Sequence, residues 1–80
     1  MTGQAILARP VPMERITRHG DTWRGHFRVA QGGAWYPVMR QDGSGPIAYG
    51  TARSAFLAAR WTGAAWRLSR EIPPYPAAEA

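Results

Sequence analysis

Eighty residues support one small domain of about two packed layers, because a chain this short buries only about 60% of the surface it exposes when unfolded. That size excludes a nucleotide-binding βαβαβ half with a substrate domain, or an α/β barrel. Ala, Arg, Gly and Pro make up half the chain, and ten arginines against five acids leave a net charge of +5 with no lysine and no cysteine. A GC-rich coding bias accounts for choosing Arg over Lys but not for the twofold excess of base over acid, which favours an anionic partner.

Without cysteine there is no disulfide framework, no thiolate metal site and no cysteine nucleophile. Met1 to Leu7 lacks the early charge and long apolar run of a signal peptide. No apolar stretch approaches the ~20 residues of a membrane span. The expectation is a soluble, cytoplasmic protein with no membrane partner and no cofactor.

In chain order, residues 1–12 form an N-terminal arm closed by Pro10 and Pro12. A strand meander is expected over 13–49, since turn signals recur at His19-Gly20-Asp21, Gln31-Gly32-Gly33 and Gln41 to Pro46. The candidate strands are 13–19, 22–30 and 34–40, with a short fourth at Ile47 to Tyr49. In the second, Trp23, Gly25, Phe27 and Val29 alternate with Thr22, Arg24, His26 and Arg28, the period of a half-buried strand. Pro37 lacks an N–H and places the third strand at an edge. With Trp23, Phe27, Trp35 and Met39 inward, parity gathers Arg24, His26, Arg28, Tyr36 and Arg40 on the outer face.

After Gly50 the period changes. Thr51 is an N-cap, and a helical region is expected over 51–72, read as one long helix that Gly63 could break. The alternative ends the helix at Gly63 and returns Ala64 to Ser69 as a strand. Leu57, Trp61, Ala64 or Ala65, Leu68 and Ile72 form the expected core-facing stripe. Arg53, Arg60 and Arg67 share another face, and Trp66 lies off the stripe as the candidate exposed tryptophan. Residues 73–80 read as an extended Pro-rich tail. The fold class is therefore α+β, a small antiparallel sheet of three to four strands with one C-terminal helix on one face.

Enzymatic chemistry finds little support. His19 and His26 are the only histidines and have no metal-ligand spacing around them. Ser44 is followed by Gly45-Pro46 rather than the helix that a nucleophile elbow requires. Gly43-x-Gly45-x-x-Ala48 imitates a dinucleotide fingerprint outside any βαβ unit, and a hairpin turn explains its glycines. Asp21 and Asp42 sit in turns. The candidate binding residues are instead Arg24, His26, Arg28, Tyr36 and Arg40 on the sheet, and Arg53, Arg60 and Arg67 on the helix, a basic and partly aromatic platform for phosphates, bases or an acidic protein. A solvated sheet face and a solubilising helix face are the bland alternatives for the same residues.

Thr51-Ala52-Arg53-Ser54-Ala55-Phe56-Leu57-Ala58-Ala59, following short strands, resembles the Thr-Ala-x-x-Ala helix start of the three-stranded-sheet DNA-binding domains of plant ethylene-response factors and phage-integrase arm-binding modules. The likeness covers about residues 13–61 and lacks that family's Arg-Gly-Val-Arg opening. In those domains sheet arginines and tryptophans enter the major groove, so the resemblance implies that role for Arg24, Arg28 and Arg40. The chain as a whole, cysteine-free, rich in Ala and Arg and without a catalytic motif, is similar to small accessory proteins of alphaproteobacterial phages, among them the type I-C anti-CRISPR proteins. That resemblance implies stoichiometric inhibition: a Cas subunit of the crRNA-guided type I surveillance complex (Cascade) is bound, and target DNA or the nuclease is denied access. The expectation is a phage-encoded inhibitor. A basic DNA-binding module and a structural phage protein are the alternatives, as a monomer or a homodimer.

Overall fold

The structure, a computed structural model, describes residues 12–77. The expected N-terminal arm lies outside the described residues except for Pro12, as do the last three residues of the tail. Three strands, β1 (Glu14–His19), β2 (Thr22–Phe27) and β3 (Tyr36–Pro37), are followed by one helix, α1 (Ala52–Ser69). They form an antiparallel sheet in the order β1-β2-β3 with α1 packed on one face, the α+β arrangement expected.

The hairpin between β1 and β2 is the most locally determined part. Gly20 and Asp21 form a two-residue loop with Gly20 at φ 62°, a backbone that glycine adopts freely and that suits the twist of the flanking strands. This loop fixes the register from His19 opposite Thr22 to Glu14 opposite Phe27. β3 is much shorter than the expected 34–40. Pro37 has no N–H for the ladder, and the chain bends away after Val38, whose N–H donates to the Gly25 carbonyl at 2.9 Å. Residues 38–47 then form a small hairpin. The chain returns to β2 at Tyr49, which exchanges two 2.8 Å backbone hydrogen bonds with Trp23. The expected fourth strand is thus a single bridge.

α1 begins where the sequence marks it. Thr51 is extended (φ −136°), and its hydroxyl accepts from the Ser54 N–H at 3.1 Å, satisfying one of the free donors at a helix start. The helix runs unbroken through Gly63 and ends at Arg70, whose left-handed backbone (φ 61°) lets its N–H reach the Trp66 carbonyl.

The side that α1 buries is a correction to the sequence reading. Ala55, Ala59 and Gly63, four residues apart, face the sheet. The expected stripe points the other way: Trp61 is 73% exposed, Leu68 86% and Ile72 69%. Close approach is the cause. β2 presents Gly25 to the helix, and even a methyl there would meet the Ala55 carbonyl and the Ala59 Cβ. On this strip α1 therefore meets the sheet through residues with almost no side chain, and a large apolar residue at 55, 59 or 63 of the helix would have no room. Trp66, the expected exposed tryptophan, packs instead against the core of Phe27, Val38 and Ala59.

β3 shows its faces in the reverse of the expected sense. Tyr36 lies opposite Phe27 and stacks on it with ring centroids 6.0 Å apart, and Val38 is buried in the same cluster. Trp35 stands on the other side of the sheet, against Arg15 and Arg28. The loop between Phe27 and Trp35 is irregular, so alternation in β2 cannot be carried across it by counting. The start of the tail folds back onto this edge. Tyr75 meets Tyr36 edge-to-face and donates its hydroxyl to the Pro37 carbonyl at 2.9 Å, and Pro73 is buried.

Candidate anion-binding site on the open sheet face

The sheet face away from α1 is built by the hairpin register. Arg15 stands opposite His26, Thr17 opposite Arg24 and His19 opposite Thr22. Directly opposed residues in an antiparallel pair have Cβ atoms about 4.5–5.5 Å apart, and alternate residues share a face. Arg15, Thr17, Arg24 and His26 therefore form a block of four neighbouring side chains. They line a cleft of about 550 Å³ with Pro37, Pro46 and Pro76 among its walls. Among the described residues no carboxylate lines it.

Arg28 extends the face beyond the end of β2. Its guanidinium lies 4.0 Å from the Trp35 ring centroid, and that of Arg15 lies 4.7 Å from the same centroid. Two cation–π contacts of this kind contribute about 0.5–1 kcal/mol each at exposed sites. They orient both cations without neutralising either. The only salt bridge among the described residues is Arg67–Glu14 at 3.6 Å, so none of the described acids pairs with Arg15, Arg24 or Arg28. Their face also leaves hydrogen-bonding capacity unused: Arg15 Nε, Arg28 Nε and His26 Nδ1 are shielded from solvent and have no partner among the described residues. A buried polar atom without a partner costs about 1–3 kcal/mol.

His26 is the most unusual member. It is 6% exposed among neighbours, Arg15, Thr17 and Arg24, that are only half-buried. Its pKa lies below the ordinary histidine value, chiefly through burial and then through the neighbouring charges of Arg15, His19 and Arg24. The free face is thus a neutral imidazole beneath fixed cations. Asp42, the one acid among the described residues whose pKa is clearly displaced, is lowered because its carboxylate accepts from Ser44 in the 40–45 turn, at 2.9 Å from the Ser44 N–H. It is a turn residue, as its sequence context indicates.

Of the sheet residues singled out in the sequence, Arg24, His26 and Arg28 share this face. Tyr36 and Arg40 do not. Tyr36 belongs to the Phe27 cluster. Arg40 lines a groove on the helix side with Val38, Thr62 and Trp66, its guanidinium 3.5 Å from the Ser44 hydroxyl. The parity that ties Arg40 to Tyr36 and Val38 holds, but the set lies on the helix side of the sheet, Tyr36 and Val38 packed in the cluster and Arg40 exposed at its edge. On α1, Arg53 and Arg60 are exposed. Arg67 is not part of that free stripe: it donates to the Arg28 carbonyl at 2.7 Å and pairs with Glu14, which ties helix to sheet.

Sequence reasoning missed Arg15 and Trp35. Arg15 was within reach, because a two-residue loop at Gly20-Asp21 by itself sets Arg15 opposite His26. Trp35 gave no such signal, since its face depends on the path of the preceding loop. Among the described residues, no cluster of three or more His, Asp or Glu could hold a metal ion, and no helix is long and apolar enough to cross a membrane. No family model, curated protein or solved structure matches the chain.

Proposed function

We propose that the protein is a non-catalytic, stoichiometric binder that docks a polyanionic partner on its open sheet face. The observation that carries this reading is the set of Arg15, Arg24 and Arg28, gathered on one face with no carboxylate of the described residues paired to them and with shielded donors of Arg15 and Arg28 left unused. Arginine's planar fork suits phosphate and carboxylate oxygens.

Within that class we propose a phage-encoded inhibitor of a type I CRISPR surveillance complex, the activity implied by the resemblance of the whole chain. The basic face would occupy a surface used by target DNA or by the recruited nuclease. The net charge of +5 favours contact with an acidic Cas subunit or with the nucleic acid over mimicry of DNA. The test is binding of the purified protein to a type I surveillance complex and to random duplex DNA, at about 150 and 500 mM salt. Tight binding to the complex that persists at the higher salt, with little affinity for DNA, is the expected result. Arg24→Glu with Arg28→Glu should abolish it and leave the melting temperature nearly unchanged. A fully active double variant would remove the sheet face from consideration.

A second reading, a DNA-binding module, is favoured by the position of Trp35 among the arginines, an aromatic plate beside phosphate-binding groups. Binding to duplex alone, with affinity falling steeply as salt rises, would select it.

A further inference from the structure

We infer that the cleft over Arg15, Thr17, Arg24 and His26 is a discrete subsite for a single phosphate group, with His26 as its proton-linked floor. This deepens the sheet-face reading and rests on it.

Three independent features point to one compact anion rather than to a diffuse basic surface. The first is shape. The hairpin register brings four side chains into a two-by-two block, and prolines from β3, the 38–47 hairpin and the tail stand around it. A concave site concentrates the field of its charges where a flat face disperses it. The second is His26, more than nine-tenths buried, lining the cleft, with its Nδ1 unpartnered. The third is pre-positioning. Arg15 is held against Trp35, and the Thr17 hydroxyl is held at 2.9 Å from His19 Nε2, so these side chains have little freedom left to lose when a ligand arrives.

The charges around His26 set how it responds. Arg15 and His19 face it from β1 and Arg24 from β2, with Arg18 at the edge of the cleft; the walls contributed by β3 and the loops are prolines and Ala77. Every charged neighbour among the described residues opposes protonation of the empty site. A phosphate bridging Arg15 and Arg24 reverses the local sign, so that an imidazolium beneath it becomes favourable and the ring gains a donor for the anion. Ligand and proton therefore bind cooperatively, and phosphate should bind more tightly as the pH falls towards 6.

Phosphate in this cleft could come from a nucleic-acid backbone or from a small phosphate ester, and the two sources are separable. With only two histidines in the chain, ring resonances assign themselves once His19→Gln is recorded. The full-length protein is titrated with inorganic phosphate, with a mononucleotide and with a single-stranded oligonucleotide while the His26 ring is followed by NMR.

Inorganic phosphate should shift His26 saturably, with a Kd on the order of 1 mM, and raise its pKa by about half a unit or more. Arg24→Gln should weaken the effect about tenfold. Arg70→Gln, exposed at the C-terminal end of α1 and away from the cleft, should leave it unchanged. An oligonucleotide that gives the same shift and is displaced by inorganic phosphate identifies the backbone as the source. A mononucleotide that binds while the oligonucleotide does not identifies a small ester.

A linear response with no saturation overturns the subsite, as does a His26 pKa that does not move on saturation or an Arg24→Gln variant that binds as before. If the surveillance complex or duplex DNA still binds in that case, the sheet-face reading survives without the subsite. Saturable phosphate binding by a protein that binds neither would leave the subsite standing and remove that reading.

Discussion

The Cβ of Phe27 stands in the space that a side chain at Gly63 would need: a methyl built on Gly63 lies 2.8 Å from it and 2.9 Å from Arg67 Nη1. Glycine in a helix interior ordinarily costs about 1 kcal/mol relative to alanine. Here overpacking, which costs about 1–3 kcal/mol, acts against that gain. Gly63→Ala should therefore fail to stabilise the protein and lower its stability by about 1 kcal/mol in urea unfolding. Gly25→Ala should be worse, because the obstacle there is the Ala55 backbone carbonyl, which cannot rotate aside.

The exposed outer side of α1 gives the opposite expectation. Trp61 and Leu68 lie on the side facing away from the sheet. Replacing both with Gln should change stability by no more than about 0.5 kcal/mol per site, as surface substitutions do. Were they core residues, the same changes would cost about 2–5 kcal/mol each. Thermal melts of Trp61→Gln and Leu68→Gln, alone and combined, separate the two cases.

This contrast shows where the sequence was legible. The β1–β2 hairpin, the alternation of β2 and the start of α1 each rest on local chemistry: Gly20-Asp21, strict period two, and the Thr51 cap. The buried side of α1 was not legible because alanine and glycine carry almost no hydrophobic signal, while the large apolar residues that do carry it line the opposite side. What selects Ala55, Ala59 and Gly63 is their contact with Gly25 and Phe27, residues some 30 or more positions away. The site divides in the same manner. Arg24, His26 and Arg28 follow from one strand's alternation and Arg15 from the hairpin register. Trp35 and Tyr36 depend on how the irregular loop from 28 to 35 is threaded.

Arg67 and Arg60 should behave differently although both belong to one sequence stripe. Arg67 gives the Arg28 carbonyl its hydrogen bond and pairs with Glu14, both side chains being largely covered. Arg67→Ala removes these contacts and leaves both acceptors short of a donor, an expected loss of about 1–3 kcal/mol. Arg60→Ala, at an exposed position, should stay within about 0.5 kcal/mol. Equal effects in urea unfolding would mean that helix and sheet are not joined through Arg67.

His26 makes the stability of the empty protein depend on pH in a definite direction. Its folded pKa is lowered from the ordinary 6.5 by burial and by Arg15, His19 and Arg24. The unfolded chain therefore binds the proton more tightly, and protonation pulls the equilibrium towards unfolding. The His26 contribution should be constant well above pH 6.5 and should decline as the pH falls from about 6.5 through the folded pKa, with further loss ending below it. His26→Gln should flatten the stability profile in that window even if it lowers stability overall, because the difference between the two slopes isolates the proton that His26 takes up. Adding phosphate to the unaltered protein should flatten it too, since a bound anion brings the folded pKa back towards the unfolded one. Urea midpoints at pH 5, 6, 7 and 8, with and without phosphate, measure both effects, and a profile that is the same for His26→Gln and the unaltered chain would show that His26 is not the group responsible.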